Sequence, residues 1–395
     1  MTSRVVVIGS GIGGLTAAIA LHADGHEVEV YDQAATFSAI GAGVSLGANG
    51  TRLMDALGLG PALREVGSDL QRIQFHEWRT GEIFYEHPMG DWYTARFGAP
   101  FLGLHRADLQ QVLLDAFRAA GGEVHLGKRC ATIAETPDDV TIAFADGTTT
   151  TADVVIGADG VRSTVRQHVA GPDEAVFAGM SCFRGLVPID KVPGGSSMGL
   201  TFFLGPTSHL VVYPVRRGEL INFVAYTRDA AWTDESWSAK GDASQAVAAF
   251  EGFNDTVLTM LGAVEDTGRW ALFDREPLRQ WSTGRVTLVG DAAHPMLPHA
   301  GQGSNQAVED VAVLAHFLRR DLPVNEALAA YETLRKPRAR QLQLGSRGNA
   351  KCFQVPDGPE AQARNERLTN LPEMVSWIHA YDAHADLQQS EKVPT

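Results

Sequence analysis

The chain has 395 residues, 44% of them hydrophobic, with 47 acidic against 33 basic side chains and a formal net charge of −14. That length exceeds one ordinary core and calls for two joined domains, while the acidic balance argues against nucleic acid and anionic membranes as partners. Cys130, Cys182 and Cys352 are widely spaced and form no metal or dithiol motif, no run of about 18 uninterrupted apolar residues occurs, and the apolar N-terminal run lacks a charged leader, so a cytoplasmic enzyme with free thiols is expected, monomer or homodimer.

The first predicted element is the apolar strand RVVVI, which runs into Gly9, Gly11 and Gly14 and then a helix; a second strand, EVEVYD, ends at Asp32, 18 residues past Gly14. Strand, turn, helix and distal acid together make the dinucleotide-binding fingerprint in its required context. Gly9 permits the tight turn, Gly11 lets the backbone approach a pyrophosphate, Gly14 lets the helix pack on the strand, and Asp32 is placed to accept hydrogen bonds from the adenosine ribose. A helix is expected near Gly50 to Val66 and another over LHRADLQQVLLDAFRAAG, followed by strands between residues 123 and 156. The run DVVIGADGVRS ends a further strand at Asp159 and Gly160.

Residues 176–270 change character: TFFLG, HLVVYPV and LINFVAYT are short β-rich runs separated by glycine, proline and charge, which predicts an antiparallel sheet joined by residues 72–97. The chain then returns to a strand in RVTLVGDAAHPMLPHAGQG, which ends at Gly290 and Asp291 and leads into a helix near Gly303. Residues 324–350 have helical spacing, with Pro337 expected to kink or break them, and the polar end LQQSEKVPT is expected to fray.

These three glycine motifs, in this order, resemble those of the single-component FAD-dependent aromatic hydroxylases, salicylate hydroxylases and 3-hydroxybenzoate hydroxylases in particular. GAGVSLGAN, LHRADLQ, HLVVYPVRRGE, DREPLRQWSTGRV and MLPHAGQG extend the likeness over nearly the whole chain. The resemblance implies an α/β fold: a Rossmann-like FAD-binding domain with a parallel sheet (1–71, 98–175, 271–345), interleaved with an antiparallel β-sheet substrate domain (72–97, 176–270), and a C-terminal helical segment (346–395). It implies tightly but non-covalently bound FAD, NADH or NADPH as co-substrate, and O2. Asp159 and Gly160 would lie near the pyrophosphate and the path of the nicotinamide, Gly290 and Asp291 at the ribityl chain, Gly303 at the flavin, and Arg106 at the FAD phosphate or ribose. The implied reaction hydroxylates a small phenolic acid through a C4a-hydroperoxyflavin, with loss of CO2 to a catechol in the salicylate-like case. Hydroxylation of 3-hydroxybenzoate or 6-hydroxynicotinate, and a flavoprotein reductase without oxygenase activity, remain alternatives.

A phenol becomes electron-rich enough for such an oxygen when its proton is withdrawn, which calls for a base within hydrogen-bond reach. His209 and Tyr213 begin and end HLVVY, so the two-residue strand period puts them on one face with Val211 between them. The resemblance places the phenol-activating histidine at His209 and a tyrosine at Tyr213. His299, in the loop before the Gly303 helix, is the second candidate, to bond a carboxylate or hydroxyl. His294 is read as structural. Arg162 and Arg166 are read as solvated or phosphate-proximal, and Arg184, Arg216 and Arg217 are the candidates for a substrate carboxylate. No second GxGxxG follows a strand and no metal-spaced His/Cys/Glu cluster occurs, so the nicotinamide is expected to bind transiently over the flavin cleft.

Overall fold

The strand Arg4–Ile8 carries valine at three successive positions, and all three are buried on both faces of a sheet. Continuous rather than alternating apolar sequence is what a parallel sheet covered on both sides requires. In the computed structural model, which describes residues 2–37, 42–229, 239–265 and 267–390, this strand is central in a five-stranded parallel sheet. The order is Val286–Leu288, Val154–Gly157, Arg4–Ile8, Glu27–Tyr31 and Glu123–His125. The helices Ile12–Ala23, Arg106–Ala119 and Gly303–Leu318 bury their apolar faces against it. An antiparallel three-stranded meander, Cys130–Glu135, Val140–Phe144 and Thr149–Ala152, is inserted before the second of these strands.

The other large sheet has eight strands, in the order Ala239–Gly241, Thr267–Asp274, Val176–Pro188, Leu220–Arg228, Ser208–Val215, Leu200–Leu204, Arg72–Glu77 and Ile83–Pro88. All its pairings are antiparallel except that of Leu200–Leu204 with Arg72–Glu77. One face is covered by the helices Ala243–Ala249 and Asp255–Gly262: Phe183, Leu210, Val212, Phe223 and Ala225 meet Phe250, Val257, Met260 and Leu261 there. The opposite face, with the small sheet of Gly43–Leu46, Leu102–His105 and Ser68–Asp69, turns toward the glycine loops of the parallel sheet. The class is therefore α/β, with a parallel sheet and separate antiparallel sheets.

Three expectations change. The helix expected over Gly50 to Val66 is two helices, Ala48–Ala56 and Gly60–Val66, because Gly58 takes a left-handed conformation (φ 77°) between them. Of the kink or break expected at Pro337, the break does not occur: one helix runs from Val324 to Phe353, held on both sides of the proline by the buried Arg335, Ala339 and Leu342. The boundary placed after residue 345 falls inside this helix. Four short helices follow, Pro359–Leu368, Leu371–Met374, Ser376–His379 and Ala383–Ser390. The first residues of LQQSEKVPT belong to the last helix and residues 391–395 lie outside the described residues. Among the described residues no helix is long and apolar enough to cross a membrane.

Candidate active site

Between the glycine loops and the open face of the eight-stranded sheet lies a cavity of about 450 Å3. Its loop wall starts at the first turn. Gly9 has φ 110°, and a Cβ there would sit 2.3 Å from the Ala158 carbonyl oxygen; a Cβ on Gly14 would sit 1.9 Å from the Gly9 carbonyl oxygen. Those two glycines close the strand–helix–strand contact sterically. Gly11 differs: no atom lies within 4 Å of where its Cβ would be, and it lines the cavity with Ile12 and Gly13. The helix it starts has no side-chain cap, and neither does the helix starting at Gly303, so two sets of unpaired N–H groups and two positive dipole ends face this space.

Arg106, the first residue of its helix, and Gly290, Asp291 and Gly303 also line the cavity. Asp291 is surrounded by protein, yet its residue surface is accessible; the accessible part is cavity wall, and desolvation there pushes its carboxyl up. Open glycine backbone, two uncapped helix starts and an arginine beside an acid fit the phosphates and polyol of a dinucleotide.

Asp32, Asp159 and Gly160 are not among the lining residues. Asp32 accepts from the Ser10 N–H and hydroxyl, both at 2.6 Å, and from the Ala34 N–H at 2.8 Å, standing at the end of its strand beside the first turn. Asp159 accepts from the Ser163 hydroxyl and the Thr164 and Val165 N–H groups, and thereby holds the turn at Gly160 (φ 77°) and the start of the next helix. Its neighbour Ala158 is the residue that reaches the cavity. Arg166 is not solvated: it is buried, pairs with Asp173 at 3.2 Å, and donates to the carbonyl oxygens of Asp291 and Ala292. It fixes the Asp291 loop from behind.

The sheet wall follows the alternation expected of a strand with one face on helices. Leu210 and Val212 enter the helix-covered core, whereas His209, Val211 and Tyr213 line the cavity. The paired strand contributes Val224 and Tyr226 and the next one Arg184. His209 stacks on Tyr226 at 4.5 Å, and its ring centre is 5.5 Å from that of His299, which itself packs 4.6 Å from Tyr226. The two histidine candidates thus meet at one polar corner with Tyr226, while Tyr213 lines the same cavity two residues beyond Val211, beside Gly43 and Gly103.

The amide nitrogen of Gln354 donates to the Tyr226 carbonyl oxygen at 3.3 Å and to His209 Nδ1 at 3.0 Å. His209 Nδ1 is therefore an acceptor, and the neutral ring carries its proton on Nε2, which has no partner among the described residues. Neither ring nitrogen of His299 has one. Burial holds His209 well below the ordinary histidine value and pulls His299 down to about 3, so both rings are neutral near pH 7. Tyr213 is pushed up by burial and keeps its proton.

The sequence matches the FAD binding domain family over residues 2–345. Among curated relatives, 3-amino-4-hydroxybenzoate 2-monooxygenase PtmB3 of Streptomyces platensis is 40% identical over 384 residues, 96% of each chain. The 6-hydroxynicotinate 3-monooxygenase of Pseudomonas fluorescens is 34% identical, covering 88% of this chain and 91% of its own. Klebsiella pneumoniae HpxO, solved with FAD and uric acid, superposes with a TM-score of 0.83 at 31% identity over 93% of this chain and 92% of that one. The chain belongs to the FAD-dependent aromatic hydroxylases.

In this hydroxylase, several residues that shape the site carry no local motif. Glu309 and Asp310, both fully buried, share Arg335 at 2.7 and 2.9 Å, and Arg338 adds a second guanidinium to Glu309 at 2.7 Å. Asp310 also accepts from the Gly290 N–H at 2.9 Å and lies 2.6 Å from His294 Nε2, which is the structural role read for that histidine. Arg338 donates to the Ile378 carbonyl oxygen and lies 3.8 Å over the Tyr381 ring, tying the C-terminal helices to the same network. Those helices close the cavity with Leu371, Val375 and His379. The signal available in sequence was an acidic pair in an otherwise apolar helix, VEDVAVLAHFL, which only burial turns into a demand for cations.

Proposed function

We propose that this hydroxylase uses tightly bound, non-covalent FAD, NADH or NADPH, and O2 to hydroxylate a phenolic aromatic carboxylic acid. The observation that supports this most is the polar corner of His209, His299 and Tyr226, with Tyr213 further along the same wall, facing the glycine loops across the cavity. Both curated relatives named above act, by their names, on one ring that carries a carboxylate and a hydroxyl. Bound FAD, reduced by the nicotinamide, supplies the activation of oxygen and its transfer to the ring.

The protein's own part is to hold the ring, exclude water and manage the phenolic proton. Gly11, Gly290, Asp291, Gly303 and Arg106 hold the cofactor, with Gly9, Gly14 and Asp32 shaping the turn it meets. Asp159 and Gly160 set the neighbouring loop along which the nicotinamide approaches. His299, with Nδ1 and Nε2 both free, accepts the phenolic proton, and the resulting imidazolium finds in the phenolate the counter-charge that burial otherwise denies it. His209, in the tautomer that Gln354 selects, donates from Nε2–H to the same oxygen and stabilises the phenolate. Tyr213 orients the hydroxyl from the other side of Val211. This divides between two histidines the task that the family resemblance assigned to His209.

Anaerobic reduction of the yellow FAD-loaded protein by NADH and by NADPH tests the reading. The panel is 4-hydroxybenzoate, 3-amino-4-hydroxybenzoate, 3-hydroxybenzoate, 6-hydroxynicotinate and salicylate, with oxygen uptake and product analysis alongside; the product separates hydroxylation with loss of CO2 from hydroxylation that retains it. At least one acid should accelerate flavin reduction and oxygen uptake. A flavin indifferent to every acid would overturn the reading.

A further inference from the structure

We propose that Arg184 anchors the substrate carboxylate, and that its place across the sheet from His209 and Tyr213 selects aromatic acids whose hydroxyl is para to the carboxylate over those in which the two are adjacent. The proposal rests on the aromatic-acid reading above and assigns the end of the site that the reading leaves open.

The argument comes from strand register. Val211 pairs with Val224, and Val224 pairs with Arg184, so these three residues stand in one line across three neighbouring strands. With strands roughly 4.8 Å apart, the Arg184 backbone lies about 10 Å from that of Val211. His209 and Tyr213 flank Val211 along its own strand. All five residues line the same cavity. The wall therefore has a polar hydroxyl-binding end, an apolar strip of two valines of a width to seat a ring, and a guanidinium at the far end.

Arg184 is also short of an anion. Among the described residues its Nε is buried without a hydrogen-bond partner, the side chain beside it that it does bond is the Cys182 thiol, and no carboxylate is among the groups whose charge acts on it. The adjacent Cys182 is fully buried and burial pushes its thiol up, so it stays neutral and does not serve as counter-ion. The guanidinium lies 5.7 Å over the Trp270 ring, which holds it without neutralising it. Burial works against the cation there while its polar neighbours keep it protonated, and a carboxylate is the counter-charge it lacks.

The other arginines are committed or misplaced. Arg216 is bound by both carboxylate oxygens of Asp108, at 2.7 and 2.8 Å. Arg217 points to Glu219 at 3.8 Å and does not line the cavity, and Arg106 belongs to the opposite wall with Asp291.

A ring with hydroxyl and carboxylate at opposite ends spans the valine strip and meets both polar ends. In salicylate the two groups are adjacent and hydrogen-bond to each other, so meeting His209 and Tyr213 draws the carboxylate away from Arg184. The energetic difference is one charge-assisted, two-pronged contact made or lost.

Binding of 4-hydroxybenzoate, salicylate and the neutral 4-hydroxybenzamide to the FAD-loaded protein, followed by flavin difference spectra, tests this in the native chain and in Arg184→Met and Arg184→Lys. The native protein should bind 4-hydroxybenzoate about tenfold or more tightly than either other ligand. Arg184→Met should lose that preference for acid over amide while binding the amide as before, and Arg184→Lys should restore part of it. Salicylate binding as tightly as 4-hydroxybenzoate, an Arg184→Met protein that keeps the acid preference, or one that loses amide and acid alike would each overturn the proposal while the aromatic-acid reading stands. A native flavin spectrum that responds to no phenolic ligand would instead bring down both.

Discussion

The two walls of the cavity are made by opposite means. The loop wall is built from glycines a few residues apart in sequence, each required by a steric contact within its own turn: a Cβ on Gly14 would collide with the backbone of Gly9, and one on Gly9 with that of Ala158. The sheet wall is built from single side chains on strands far apart in sequence, where Arg184, Val224 and Val211 meet only because three strands pair in one register. Binding a shared cofactor needs backbone, which tolerates little variation; choosing a substrate needs side chains, which change without disturbing the strand that carries them.

The sharpest way to break this comparison is at the glycines. Gly14→Val should yield no yellow protein, because the added carbons overlap backbone and the turn must open. Gly11→Leu should fold, since no atom lies within 4 Å of its Cβ position, yet also lose FAD by filling the space reserved for phosphate. Circular dichroism with FAD released on denaturation distinguishes the two failures. A yellow Gly11→Leu protein with full FAD occupancy means that the pyrophosphate does not meet this turn.

Next in size is the hidden support of the loop wall. Arg335→Met leaves Glu309 and Asp310 buried with one guanidinium fewer, and removing one partner of such a network costs about 3–5 kcal/mol. Denaturant unfolding of the FAD-loaded protein should show a loss of that order, accompanied by weaker FAD retention because Asp310 holds the Gly290 N–H. Unchanged stability would mean that the two acids are protonated and need no cation.

On the sheet wall, His209→Ala should leave FAD binding and flavin reduction largely intact while lowering hydroxylation by roughly 100-fold, with the reducing equivalents escaping as hydrogen peroxide. His299→Ala should do the same, and Tyr213→Phe should be milder. Gln354→Leu sharpens the test, because it frees His209 Nδ1 without touching the cavity face of the ring. Partial uncoupling with unchanged substrate affinity is expected. Product formation matched to oxygen uptake in His209→Ala would make that histidine a packing residue.

The contrast also explains what was legible in the sequence. The parallel sheet, the glycine turns and the alternation of His209, Val211 and Tyr213 follow from local sterics and a two-residue period, both visible in the string. Arg184 was visible only as one of three arginines, because its partners are set by strand register. Gln354, Arg335 and Arg338 gave no signal at all, since their roles arise where the long helix meets the sheet and the C-terminal helices. Asp159 is expected near the pyrophosphate, and only the structure shows that its carboxylate also holds the turn that follows it. At Pro337 the local rule allows a kink or a break, and the packing on either side of it keeps the helix continuous.

The smallest effect compares the two walls by their response to acid. His299 on the corner and His379 on the C-terminal cap are both buried, and desolvation lowers them from about 6.5 to about 3 and about 4 respectively. A histidine depressed in the folded state is protonated first in the unfolded chain, so the unfolded state binds more protons and stability falls as pH falls. The contribution is fully present above pH 6.5 and is lost at about 1.4 kcal/mol per pH unit for each residue down to its folded value. Between pH 7 and pH 5 that is roughly 2 kcal/mol for each histidine. His379 is the cleaner probe, because its Nδ1 is 2.9 Å from the Tyr93 hydroxyl, which in turn accepts from the Ala48 N–H, and none of these three is proposed to touch the phenol. His379→Gln should therefore be less stable than the native chain at pH 7 but should lose less stability on going to pH 5, with flavin reduction at pH 7 little changed. Identical slopes of stability against pH in the two proteins would show that His379 is protonated in the fold, in which case the cap is held by charge and not by the burial of a neutral ring.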